Sequence, residues 1–77
     1  MNSYYRKEKA RTDRFEKARK IVDSLIILLN RENDTELFYD LNDLAHSYAD
    51  GTVETLGSFD VKLHNIISYH SNDDKIQ

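Results

Sequence analysis

The sequence predicts an all-α chain, and three observations carry that expectation. Proline is absent. The two glycines, Gly51 and Gly57, fall in one short stretch, so residues 3–50 hold no strong helix breaker. Apolar residues recur at spacings of three and four, the period of one helix face, over two long segments. The expected architecture is a three-helix domain in which a long N-terminal helix forms an antiparallel hairpin with helix 2, and a shorter third helix follows.

In the first segment Phe15, Ala18, Val22, Leu25 and Leu29 mark one face, with Ile21, Ile26 and Leu28 widening it. Ser3 is a suitable N-cap, and the turn-forming run from Asn30 to Asp34 ends the helix. The second helix starts at Asn33 or Asp34. Asn33 followed by Glu36 has the form of a capping box, and acids in a first turn suit the positive end of the helix dipole. Its apolar face is Leu37, Phe38, Leu41, Leu44, Ala45 and Tyr48, and Gly51 is a natural stop because glycine enters the left-handed region without a Cβ clash.

Residues 52–58 read as a connector whose Val53 and Leu56 tuck against the core. Ser58 then caps a third helix with Phe59, Leu63, Ile66 and Ile67 on its inner side, packed across the C-terminal half of helix 1. A short strand through Val61 and Leu63 is the alternative there. The division expected is a single helical domain over residues 1–70, with a projecting basic end at about 1–14, and a flexible polar tail at 71–77.

At 77 residues the chain has room for one core. A chain this short buries only a little over half of its unfolded surface. With no cysteine there is neither a disulfide staple nor a thiolate zinc site, so a homodimer formed through the uncovered part of the Phe15–Leu29 stripe is a natural way to bury more. The N-terminus is charged but has no apolar segment behind it, which is unlike a signal peptide. The uncharged run Leu25–Leu29 is far shorter than a membrane span. The expected setting is cytoplasmic, for a chain that begins at its own start codon and has no membrane partner.

Charge is divided by position. The first twenty residues carry eight Lys/Arg against three Asp/Glu, whereas the rest carry three against eleven, so +5 and −8 sum to the net −3. Such asymmetry bears on partners rather than on fold. A helix from Ser3 to Leu29 would be roughly 40 Å long, against a compact body of roughly 30 Å, so the basic end should overhang. Arg6, Lys7, Lys9, Arg11, Arg14 and Lys17 are therefore candidate contacts to nucleic acid or an acidic partner. The competing reading is a solvated face, because Lys9 and Asp13, Asp13 and Lys17, Glu16 and Lys20, and Glu8 and Arg11 all sit at helix-pairing distances. Tyr4, Tyr5, Tyr39, Asp40 and Asp43 make a second candidate surface, suited to a protein partner, since tyrosine brings contact area with little rotamer entropy.

Catalytic groupings are hard to assemble. His64 and His70 are six apart, Ser68 near His70 lacks a third member, and there is no glycine-rich phosphate loop or Cys nucleophile. Asp60 and His64, four apart, read as an ion pair rather than metal ligands. A helix-turn-helix over Leu41–Phe59 fails because Asp50, Thr55 and Ser58 stand where apolar residues are needed and the segment 52–58 has no base. No cofactor and no enzyme activity are expected. What remains is a small non-enzymatic interaction protein, an adaptor or inhibitor of the kind found among phage and mobile-element accessory factors. Its expected partner is a protein, with a nucleic-acid-associated regulator working through the basic helix as the alternative.

Overall fold

A computed structural model describes the backbone of residues 3–76 and the side chains of residues 7–71. It contains three helices, α1 (Ser3–Leu28), α2 (Thr35–Asp50) and α3 (Leu56–Ile76), and no strand among the described residues. The strand considered near Val61 is thus helix.

Each boundary has a local cause. At the end of α1, Asn30 takes φ 57°, and the Asn30 and Arg31 amides donate to the Ile27 and Ile26 carbonyls at 3.1 and 2.9 Å. That pair of bonds closes the helix around a left-handed residue, a role asparagine tolerates. Asp34 caps α2, its carboxylate accepting from the Leu37 amide at 3.1 Å, and Asn33 stands one residue outside the cap. Gly51 ends α2 with φ 89°, its amide donating to the Tyr48 carbonyl.

The start of α3 differs from expectation. Thr55, not Ser58, is the cap: its Oγ1 accepts from the Ser58 amide at 3.1 Å and its carbonyl from the Phe59 amide at 3.0 Å. Leu56 and Gly57 therefore lie inside the first turn, where a helix tolerates glycine most easily. The backbone of α3 continues helically through Ile76, across the segment read as a tail.

Ala18, Val22 and Ile26 of α1, Leu37, Leu41, Leu44, Ala45 and Tyr48 of α2, Val53 of the connector, and Phe59 and Leu63 of α3 form one core. The α1–α2 hairpin is antiparallel, with Arg14 beside Tyr48 and, further along α1, Arg19 beside Asn42. The α2–α3 pair is antiparallel as well: the rings of Tyr48 and Phe59 lie 5.5 Å apart, and His70 Nε2 lies 2.8 Å from Asp40 Oδ2. It follows that α1 and α3 run parallel.

The packing of α3 corrects the expectation that it crosses α1. Its backbone approaches α2, and no Cα of α3 comes within 8 Å of a Cα of α1 among the described residues. The ring pair and the His70–Asp40 contact tie α3 to α2 near both ends of their overlap, so α3 meets α1 only through side chains in the shared core. The molecule measures 55 × 20 × 16 Å with a radius of gyration of 14.1 Å. A compact chain of this length would have about 11–12 Å.

An apolar groove beside a clamped basic helix

The basic half of α1 is only partly turned outward. Arg14 is half-buried against the C-terminal end of α2: its Nε donates to the Tyr48 carbonyl at 2.8 Å, and one terminal nitrogen donates to the Val53 and Glu54 carbonyls at 3.1 and 3.2 Å. Its guanidinium also lies 3.8 Å from the centroid of the Tyr48 ring. A helix C-terminus carries partial negative charge and orphan carbonyls, which a fixed guanidinium satisfies several at a time. One turn earlier, Arg11 Nε pairs with Asp50 Oδ1 at 3.0 Å, in place of the expected Glu8.

Arg19 is drawn in too. It donates to Asn42 Oδ1 at 3.2 Å and lies 5.3 Å from the Phe38 ring centroid and 5.8 Å from that of Phe15. By contrast Lys7, Lys9, Lys17 and Lys20 are exposed, with Lys9 placed 3.9 Å from Asp13 at the limit of an ion pair. The arginines with described side chains on α1 are thus structural, and its lysines remain in solvent. Of the six expected basic contacts, Arg11 and Arg14 face the body, Lys7, Lys9 and Lys17 face water, and the side chain of Arg6 lies outside the described residues.

Of the second expected surface, the side chains of Tyr39, Asp40 and Asp43 are described. The side chains of Tyr4 and Tyr5 lie outside the described residues. Tyr39 is exposed. Asp40 and Asp43 instead line a polar furrow between α2 and α3 with Lys62 and Asn65, where Asp40 holds the buried His70.

An apolar concavity lies on the opposite side, between α1 and α3. Ile21, Leu25 and Leu28 of α1 and Leu63 of α3 make its floor and walls, Lys20 and Ser24 stand on the α1 side, and Asp60 and His64 on the α3 side, around a volume of about 520 Å³. It exists because α1 and α3 both pack on α2 while their own backbones stay apart. The same apolar stripe that builds the core continues round α1 into this groove, leaving Leu28 76% exposed while Ile26, two residues earlier, is 6% exposed. Sequence reasoning placed Leu25 on the face of α1, Ile21 and Leu28 at its widened edge and Leu63 on the inner side of α3, and expected an uncovered part of the α1 stripe without locating it. The site itself depends on the spacing of two helices, which has no local signature.

The groove holds a serine, a histidine and an aspartate, so its chemistry needs weighing. His64 Nε2 and Asp60 Oδ1 are 3.4 Å apart on side chains that are 66% and 64% exposed. That is a solvent-screened i,i+4 contact, too long and too wet to fix an imidazole for base catalysis, and it offers no set of donors aimed at a developing oxyanion. An apolar floor between charged rims is suited to binding a side-chain surface. No protein-family model, curated protein or solved structure matches this chain.

Proposed function

We propose that this chain is a small non-enzymatic interaction protein, an adaptor or inhibitor, that binds a protein partner through the groove between α1 and α3. The observation that carries this reading is the continuous apolar surface of Ile21, Leu25 and Leu28 left open beside a finished core, with the buried Leu63 beneath it. Partly buried residues at such a surface lose further water when covered, whereas scattered exposed hydrophobics would not act together.

The alternative, phosphate contact through α1, is reduced by the commitment of Arg11 and Arg14 to α2. With Lys7, Lys9 and Lys17 as the remaining expected contacts of described side chain, affinity for nucleic acid would fall only about fortyfold between 50 and 200 mM salt.

One comparison separates the two. The tagged chain and its Leu28→Asp variant are used to capture partners from a native extract, alongside a nucleic-acid binding series across salt. Loss of a captured protein in the variant, with helicity unchanged, supports the groove. Equal capture by both chains, together with salt-dependent binding to nucleic acid, would overturn it in favour of the basic helix.

A further inference from the structure

The last residue of α2 and the glycine that stops it carry covalent chemistry of their own. Asp50-Gly51 is the chain's one Asp-Gly step, and no asparagine precedes a glycine. Glycine after an aspartate lets a backbone amide approach the preceding carboxyl closely, because no Cβ stands beside the attacking nitrogen. Here that approach is open: Gly51 holds φ 89°, and the place a Cβ would take has no heavy atom within 4 Å. The Asp50 side chain is 48% exposed, so water reaches it.

We propose that Asp50-Gly51 is a site of spontaneous isomerisation to isoaspartate, gated by the contacts that hold the C-terminal end of α2. In the first step the Gly51 amide nitrogen bonds to Asp50 Cγ, the amide proton and the carboxyl hydroxyl leave together as water, and a five-membered imide closes. Water then adds to one of the two imide carbonyls and the C–N bond at that carbonyl breaks. Opening at the side-chain carbonyl restores aspartate. Opening at the main-chain carbonyl gives isoaspartate, whose backbone runs through the former side chain with one extra methylene. Water is the only co-reactant.

The folded chain restrains ring closure. Asp50 is the last helical residue of α2, and a helical ψ of about −42° turns the next nitrogen away from the side chain, so residue 50 must leave the helix before the ring can form. Three contacts resist that step. The Gly51 amide donates to the Tyr48 carbonyl at 3.3 Å, and Arg11 Nε holds Asp50 Oδ1 at 3.0 Å. Arg14 spans the step, holding the Tyr48 carbonyl before it and the Val53 and Glu54 carbonyls after it. Helix ends open more often than helix interiors, which leaves this step the more reactive one when compared with Asp23-Ser24 inside α1. The product in turn undoes the restraint, since an added methylene lengthens the stretch of chain that Arg14 bridges.

Prolonged incubation of the full chain at neutral pH, below its unfolding transition, tests this. Isoaspartate is located by electron-transfer fragmentation and counted by enzymatic methylation. The variants are Arg11→Ala, Arg14→Ala and Asp50→Glu, and the chain unfolded in guanidinium chloride is the reference. Isoaspartate should accumulate at position 50 more slowly in the folded chain than in the unfolded one. Arg11→Ala should raise the folded rate about two- to fivefold, the range of a half-exposed ion pair, and Arg14→Ala about tenfold or more, because it frees charge-bonded carbonyls on both sides of the step. Asp50→Glu keeps a carboxylate for Arg11 but cannot close a five-membered imide, so its signal at position 50 should vanish. Asp23 reports global unfolding and should stay unchanged in every folded chain.

No isoaspartate at position 50 in any folded chain overturns the proposal, as does one rate for the folded and unfolded parent. Equal rates in the parent, Arg11→Ala and Arg14→Ala, or a rise in Arg14→Ala matched at Asp23, overturn the local gate. The converted chain, separated chromatographically, should melt below the parent, and an equal Tm would overturn the loss of the Arg14 restraint.

Discussion

The two halves of α1 spend their side chains in opposite ways. In the basic half, the described arginines are answered within the chain: Arg14 holds the Tyr48 carbonyl of α2 and the Val53 and Glu54 carbonyls just beyond it and covers the Tyr48 ring, Arg11 holds Asp50, and Arg19 lies against Phe38 and Asn42. In the apolar half, Ala18, Val22 and Ile26 are buried, yet the adjacent Ile21, Leu25 and Leu28 open into the groove. Composition alone would suggest the reverse, with charge seeking a partner and hydrophobicity satisfied in the core. The difference arises because a guanidinium on a flexible stem reaches backbone acceptors that no apolar contact supplies, whereas an apolar stripe broader than one neighbouring helix cannot be covered without a second neighbour.

The sharpest way to break this contrast is Arg14→Ala. It removes a charged donor from partly buried carbonyls, worth about 1.5–3 kcal/mol, and a close cation–π contact worth about 0.5–2 kcal/mol. These contributions overlap. The expected loss is about 3 kcal/mol, or more than about 10 °C in Tm for a domain of this size. Arg11→Ala serves as the control. Its ion pair with Asp50 is about half exposed on both sides, so the loss should stay below about 1 kcal/mol. Thermal unfolding of the two variants checks the ranking, and equal losses would show that Arg14 acts as an ordinary surface cation.

A smaller effect is expected from the turn that presents those carbonyls. Gly51 holds φ 89°, and a Cβ added there would meet no heavy atom within 4 Å, so Gly51→Ala introduces backbone strain without a steric clash. The expected cost is about 1 kcal/mol. Denaturant melts read it directly. If Gly51→Ala and Arg14→Ala are combined, their losses should fall short of additive, since both act on the same end of α2.

How far the sequence reveals this arrangement depends on the range of each interaction. The extent of α2 is legible because both its ends are set locally, by Asp34 reaching Leu37 and by Gly51 turning left-handed. The start of α3 is less so, since Thr55 and Ser58 are both hydroxyl caps three residues apart, and only the fold decides that Gly57 lies inside a helix. The role of Arg14 is illegible: its acceptors are backbone carbonyls 34 to 40 residues away, which no side-chain pattern marks. The groove is likewise hidden, because periodicity gives the breadth of the stripe on α1 but not the distance at which α3 settles.

The smallest effect on stability carries the most information about the apolar half. Leu28 is 76% exposed, so Leu28→Gln removes little buried area and should change monomer stability by less than about 0.5 kcal/mol. Ile26, two positions earlier and 6% exposed, would lose about 2–5 kcal/mol on truncation to alanine by leaving a cavity. If Leu28 served only the monomer, the neutral result would hold at every protein concentration. Covered by a second surface, it should instead produce a Tm difference from the parent chain that vanishes on dilution and grows at high concentration, since association stabilises the folded state by mass action. Melts of the parent chain and Leu28→Gln at widely separated concentrations therefore distinguish a side chain left over at the edge of a core from one that waits on a partner.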